Sequence, residues 1–226
     1  MPLATGEIAE RVSTLRERVA AAAAAAGRAP AEIAILAVTK TQSREGVLDA
    51  LRAGLHDVGE NYVQEAESKF DGLPPCTRHF LGHVQTNKAR RIAALFDVVQ
   101  GVDRLSAGLA LAKAARELGR TLRVLVQVNV SPQERFGVAP GEAPALAERL
   151  RAEPGLTVDG VMAIGPLEGD VDAAFATARK AFGAVGGATF SLGMSGDWEQ
   201  AVRHGSTMIR IGTAIFGARA VRAAGG

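Results

Sequence analysis

The chain has 226 residues, 47% of them hydrophobic, with 26 basic against 24 acidic side chains and a formal net charge of +2. That length suffices for one large core, and so even a charge balance argues against a nucleic-acid partner. One cysteine, Cys76, excludes an intramolecular disulfide, the opening residues carry acids and no apolar signal core, and the alanine run 20–26 is too short to span a bilayer.

The expectation is therefore a cytoplasmic protein with no metal, nucleic acid or membrane to bind. The first segment reads as a helix, with Thr5 as N-cap and Glu7 and Glu10 favouring its first turn. Ile8, Val12, Leu15 and Val19 fall on one stripe, and Gly27 with Pro30 ends the segment. After it, apolar β-type runs alternate with helical periodicity. "IAILAVT" leads straight into Lys40, followed by a helix over 44–53. "HDVGE" precedes a helix over 62–70, and "HFLGH" precedes one over 87–96. The basic stretch "TNKARR" there reads as a solvated helix face, with no aromatic residues interleaved for base stacking. "DVVQGV", "LRVLVQVNV" and "VDGVMAI" lead into helices over 105–118, 142–150 and 171–185. "TFSLGM" precedes a helix over 197–203, and "TMIRIG" comes last. Gly54, Gly119 and Gly186 stand where C-cap glycines do.

Several of these β runs are continuously apolar, as strands covered on both faces are. A helix between each pair supplies the crossover that parallel strands need. Eight such units predict a closed (β/α)8 TIM barrel, α/β in class, with an extra N-terminal helix and a single domain over 1–226. An open doubly wound sheet that bound a dinucleotide would carry a glycine-rich turn after its first strand, where this chain has "TKTQS".

A barrel places functional residues at the C-terminal ends of its strands. Polar groups accumulate at those ends: Lys40, Glu60 and Asn61, His83 and Gln85, Asp103, Gln127 and Asn129, then Ser195, Arg210 and Thr213, with Met162 and Met194 beside them. A strand-end lysine either snorkels to solvent or is a desolvated amine that condenses with an aldehyde. In "GSTMIRIGTAIFG", Arg210 and Gly212 turn to the same side of a strand. Gly212, Thr213 and Ser195 suit a phosphate site at the loops after the last two strands. Arg210 could bind that phosphate or face a ring nitrogen, which a guanidinium, having no acceptor, would keep unprotonated.

At these residues the chain resembles the pyridoxal phosphate homeostasis proteins. The matching pieces are "LAVTKTQ", "GENYVQEAESK", "HFLGHVQTNK", "VLVQVNVS", "GVMAI" and "LGMSGDWEQAVRHGSTMIRIGTAIFG", in order over nearly the whole chain. The resemblance implies a fold like the N-terminal barrel of alanine racemase and a Lys40 aldimine with pyridoxal 5'-phosphate (PLP). It implies Arg210 facing the pyridine nitrogen, Ser195, Gly212 and Thr213 on the phosphate, and Asn61 and Met194 beside the ring. His83 receives no role, Gln127 and Asn129 serve equally as barrel filling, and Glu60, Gln64 and Glu65 orient Lys40 or satisfy nearby backbone. The chain departs from the family pattern at Val58, at Arg135-Phe136, and in the short "AIGPLEGD".

A two-base racemase needs a second acid/base across the cofactor, and the one tyrosine, Tyr62, is placed for packing or a rim contact. The expected function is a monomeric PLP carrier that buffers the aldehyde and delivers it to apo PLP-dependent enzymes. The alternatives are a weak PLP-dependent amino-acid racemase and a PLP-free Schiff-base barrel enzyme. Arg210→Glu is expected to shift the cofactor's spectrum with modest effect on stability.

Overall fold

The computed structural model describes residues 5–131 and 136–217. Helix α1 (Thr5–Ala25) buries Ile8, Val12, Leu15 and Val19, each 3% exposed or less. The stripe predicted from spacing is the face it packs, against α2 (Arg44–Arg52), α8 (Trp198–Arg203) and α9 (Thr213–Phe216). Gly27 ends α1 at φ 67, and the Arg28 N–H reaches back to Ala23 O at 2.9 Å, a left-handed glycine cap. The capping role expected of Thr5 falls outside the described side chains.

Eight strands close into one parallel barrel in chain order: β1 (Ala34–Val38), β2 (Asp57–Glu60), β3 (Thr77–Phe80), β4 (Val98–Val102), β5 (Leu122–Asn129), β6 (Leu156–Ile164), β7 (Thr189–Ser191) and β8 (Met208–Ile211). β8 returns to β1 with Arg210 opposite Leu36. Helices α2, α3 (Val63–Lys69), α4 (Ala89–Leu95), α5 (Leu105–Glu117), α6 (Ala143–Arg151), α7 (Val171–Val185) and α8 make the crossovers. The predicted TIM barrel is the observed fold.

Several details differ from the sequence pattern, among them β3, which ends at Phe80, so Leu81 to His83 of "HFLGH" lie past the strand. The segment over 87–96 opens as a 3-10 turn, Thr86–Lys88, before α4. β7 stops before the end of "TFSLGM", yet its pairing runs on, from Leu192 N–H to Met208 O and from Arg210 N–H to Gly193 O, both at 3.0 Å. The four-residue α9 follows β8 directly.

Strand alternation divides the interior in two. Outward side chains such as Val58, Phe80, Phe190 and Ile209 pack with the helices into the large apolar core. Phe80 meets Phe96 there edge-on, ring centroids 5.1 Å apart. Inside the bore, Val98, Leu125, Met162 and Ile164 form a small apolar cluster. Four of the buried polar residues in the bore, His79, Gln100, Ser191 and Arg210, form one connected group. Such groups stay buried only when hydrogen-bonded, and all four are.

Candidate functional site

At the C-terminal mouth lies a cavity of about 360 Å³. It is lined by Lys40, Asn61, Met194, Ser195, Arg210, Gly212 and Thr213, so the structure brings all seven candidate residues together. Val38, Leu81, Met162 and Ile164 supply apolar wall, and Thr41, Gln42, Gly196 and Gly217 complete the lining.

Lys40 continues the inward parity of Leu36 and Val38 just past β1, half-buried. The backbone on both sides of it is pinned from the helix layer. Lys69 of α3 donates to Thr39 O (2.9 Å), Glu60 Oε1 (2.7 Å) and Glu65 Oε2 (2.8 Å). Thr39 Oγ1 also donates to Glu60 Oε1 at 2.8 Å, and the Thr41 N–H donates to Glu65 Oε2 at 2.8 Å. Thr41 sits at φ 65, a left-handed conformation costly for a β-branched residue, and the Glu65 bond helps hold it there. Burial pushes the Glu60 carboxyl above its ordinary value, although the bonds from Lys69 and Thr39 oppose this. Glu60 and Glu65 thus act on the peptides flanking Lys40, whereas Gln64 is exposed.

Arg210 on β8 is buried, 4% exposed. Its Nη1 donates to Ser191 O (2.8 Å) and Ser191 Oγ (2.9 Å), and its Nη2 to Ala163 O (2.8 Å). Those bonds occupy three of the five guanidinium N–H groups. Burial lowers its pKa to about 10, while the charge of Asp197 works the other way. A buried cation with no directly bonded carboxylate among the described residues suits a cavity that takes an anionic ligand.

The opposite wall is the β7–α8 turn and the first turn of α9. Asp197 accepts the Met194 N–H at 2.5 Å and gives its own N–H back to Met194 O at 3.1 Å, which shapes the loop carrying Ser195 and Gly196. A Cβ at Gly212 would find its nearest neighbour, Val38 O, at 3.5 Å, and one at Gly196 would meet nothing within 4 Å. The chain itself therefore does not require glycine at either place; the missing side chains leave room for a ligand beside the Ser195 and Thr213 hydroxyls. At Gly82 the reverse holds, since a Cβ would lie 2.2 Å from Asn61 O. That glycine lets the end of β2 settle where Asn61 reaches the cavity.

His83, Gln127 and Asn129 do not line the cavity. The His83 ring stacks on Phe136 with centroids 3.9 Å apart, and its Nε2 accepts from Arg104 at 3.1 Å. His83 Nδ1 lies 3.3 Å from Asp103 Oδ2 without hydrogen-bond geometry. Gln127 donates to Phe136 O, and Asn129 Oδ1 accepts the Ser131 N–H, both at 2.9 Å. Of the departures from the family pattern, Val58 is buried in the outer core, Phe136 is exposed, and Arg135 lies outside the described residues. Leu81, Ile164 and Lys69 carried no distinguishing signal in the sequence. No helix of the described residues is long and apolar enough to cross a membrane, and none of their His, Cys, Asp and Glu side chains cluster as a metal site would.

This lysine-bearing parallel barrel has a recognisable class: residues 11–220 match the family described as Alanine racemase, N-terminal domain. A Pyridoxal phosphate homeostasis protein of Pseudomonas aeruginosa is 43% identical over 220 residues, covering 94% of this chain and 96% of its own. Its Escherichia coli K12 counterpart is 38% identical over 227 residues, covering 94% and 97%. The solved structure of PipY from Synechococcus elongatus, with PLP bound, superimposes with a TM-score of 0.81 at 33% identity, covering 93% of this chain and 100% of that one. The chain belongs to the pyridoxal phosphate homeostasis protein family.

Proposed function

We propose that this protein binds pyridoxal 5'-phosphate in the mouth cavity, linked covalently to Lys40, and serves to hold the cofactor and hand it on. One observation carries the reading: a single cavity joins the Lys40 side chain to Arg210 and to the Ser195–Gly212–Thr213 wall. The names of the relatives and the ligand of PipY support PLP as the group. Bound there, PLP supplies an aldehyde that condenses reversibly with amines.

The residues divide the work. Lys40 Nζ is the amine for the covalent link. Ser195, Thr213 and the backbone at Gly212 hold the phosphate. Arg210, which has only donors, faces the ring nitrogen and keeps it unprotonated, limiting the ring as an electron sink. Asn61 and Met194 flank the ring, and Val38 and Leu81 give it an apolar bed.

Carriage fits this lining better than two-base racemisation. Among the described lining residues, Lys40 and Arg210 are the ionisable side chains, and Tyr62 stands 59% exposed outside the lining. Tyr62, Phe136, Leu167 and Met194 are exposed on loops after four of the strands, the face that a recipient apoenzyme would meet. In this reading the protein works in the cytoplasm as a monomer. Mixing the PLP-loaded protein with an apo aminotransferase, and separately with amino acids in deuterated water, tests it. The expected result is restored aminotransferase activity with slow α-proton exchange. Fast racemisation without transfer would replace the carrier reading with the racemase one.

A further inference from the structure

Behind Arg210 a line of buried hydrogen bonds crosses the bore. Arg210 Nη1 meets Ser191 Oγ at 2.9 Å, Ser191 Oγ meets Gln100 Oε1 at 2.7 Å, and Gln100 Nε2 meets His79 Nδ1 at 2.9 Å. His79 Nε2 then meets Asp57 Oδ1 at 2.8 Å. The five residues come from β8, β7, β4, β3 and β2. His79, Gln100, Ser191 and Arg210 are each 4% exposed or less, while the Asp57 side chain is 24% exposed and lines a second pocket formed with α1 and the start of β1. The line therefore runs from the cavity at the C-terminal mouth to the opposite end of the barrel.

Chemistry fixes the direction of every bond. A guanidinium only donates, so Ser191 Oγ accepts from it and gives its one proton to Gln100 Oε1. The amide nitrogen of Gln100 is then left for His79, and its contact with Met208 Sδ at 3.3 Å agrees with that orientation. His79 Nδ1 must accept, so the ring carries its proton on Nε2 and donates it to Asp57. Reversing the Gln100 amide would turn its oxygen to the Met208 sulfur and leave the Ser191 proton without this acceptor.

We infer that Ser191, Gln100 and His79 are positioning residues for Arg210, fixing which edge of the guanidinium faces the cavity and linking it across the bore to the Asp57 carboxylate. The inference rests on the PLP-binding reading for its consequence and on the bore geometry for its existence. With Gln100 in place, the Ser191 hydroxyl proton is drawn away from the guanidinium, and an oxygen lone pair stays turned toward Nη1. Without that acceptor the hydroxyl is free to rotate, and the guanidinium loses one of the three acceptors that fix its plane. A group held this way meets a ring nitrogen at a fixed angle, whereas a loosened one does not.

The test uses the full-length protein and three variants. Gln100→Met keeps length and removes the amide. Ser191→Ala removes the middle hydroxyl alone. Gln100→Glu keeps an acceptor for Ser191 and replaces the donor to His79 with an oxygen, which the ring meets by taking a second proton on Nδ1. Gln100→Met and Ser191→Ala are expected to weaken PLP binding about tenfold, the loss of one hydrogen bond to a charged group, and to shift the visible absorption maximum. Gln100→Glu is expected to retain most of the affinity. In wild-type protein without added PLP, ring 15N spectra are expected to show His79 protonated on Nε2. Should Gln100→Met fail to fold, Ser191→Ala, smaller by a single oxygen, carries the same expectation. The inference is overturned if both match wild type in affinity and spectrum, if Gln100→Glu loses as much as Gln100→Met, or if His79 carries its proton on Nδ1. A wild-type protein that binds no PLP would instead remove the proposed function, and the His79 measurement would still decide the geometry.

Discussion

Lys69→Met is the substitution whose consequence can be worked furthest from the structure. The Lys69 side chain is 9% exposed and that of its partner Glu60 0% exposed, with 2.7 Å between Nζ and Oε1. Among the described residues Glu60 Oε2 has no hydrogen-bond partner, so Lys69 and Thr39 carry the charge compensation through the other oxygen. Removing one member of so buried a pair costs about 3–5 kcal/mol, because the remaining carboxylate keeps its desolvation penalty. For a chain of this size that lowers Tm by roughly 6–20 °C. The pH dependence follows from the direction of the Glu60 shift. Burial holds its folded pKa above the ordinary carboxylate value even with Lys69 present. Without Lys69 it rises further, so the folded state binds a proton that the unfolded chain releases. Stability of the variant then falls as pH rises through that window, and its deficit against wild type narrows as pH drops toward the ordinary carboxylate range. Urea unfolding of wild type, Lys69→Met and Lys69→Met/Glu60→Gln across that range is the assay, with the double variant recovering most of the loss. A deficit under about 1 kcal/mol, the size of an exposed pair, or one that does not vary with pH, would refute the reasoning.

Other outcomes follow from the same geometry. Ser195→Ala with Thr213→Ala should weaken PLP retention at least tenfold by equilibrium dialysis, since each hydrogen bond to a charged group contributes roughly 1.5–3 kcal/mol. Gly82→Ala should displace the end of β2, because its Cβ would lie 2.2 Å from Asn61 O, and lower PLP affinity through Asn61; unchanged binding would contradict that. Asp97→Asn should cost about 2 kcal/mol at neutral pH, on the scale of a charged hydrogen bond. Burial alone would raise the Asp97 carboxyl, but the Arg78 side-chain and backbone bonds outweigh it and hold the group below its ordinary value. Its contribution is therefore present above the ordinary carboxylate range and lost as pH falls through the lowered folded value, which acid titration of stability would register.

Much of the site was legible because strand alternation and strand ends suffice to locate it. Lys40 closes an apolar run, and Arg210, Gly212 and Thr213 follow one another at the end of the last strand. The pinning of Lys40 was not legible. In sequence, Glu65 and Lys69 are an ordinary i, i+4 helix pair, and only the packing of α3 on β1 and β2 turns Lys69 inward to Thr39 O. His79, Gln100 and Ser191 sat within runs read for their apolar content. The closure that turns them into one bore is a property of eight strands together. Arg210 also resists the sequence-based expectation for Arg210→Glu. A carboxylate there would leave Ser191 O and Ala163 O without their donor and bury a charge, so the loss of stability should be several kcal/mol, not modest.

Borohydride reduction of the PLP-loaded protein, followed by peptide mapping, asks directly where the cofactor is attached. One pyridoxyl adduct is expected, on Lys40, with loss of both colour and adduct in Lys40→Ala. An adduct on another lysine, or a cofactor that leaves no reduced adduct at all, would contradict that expectation.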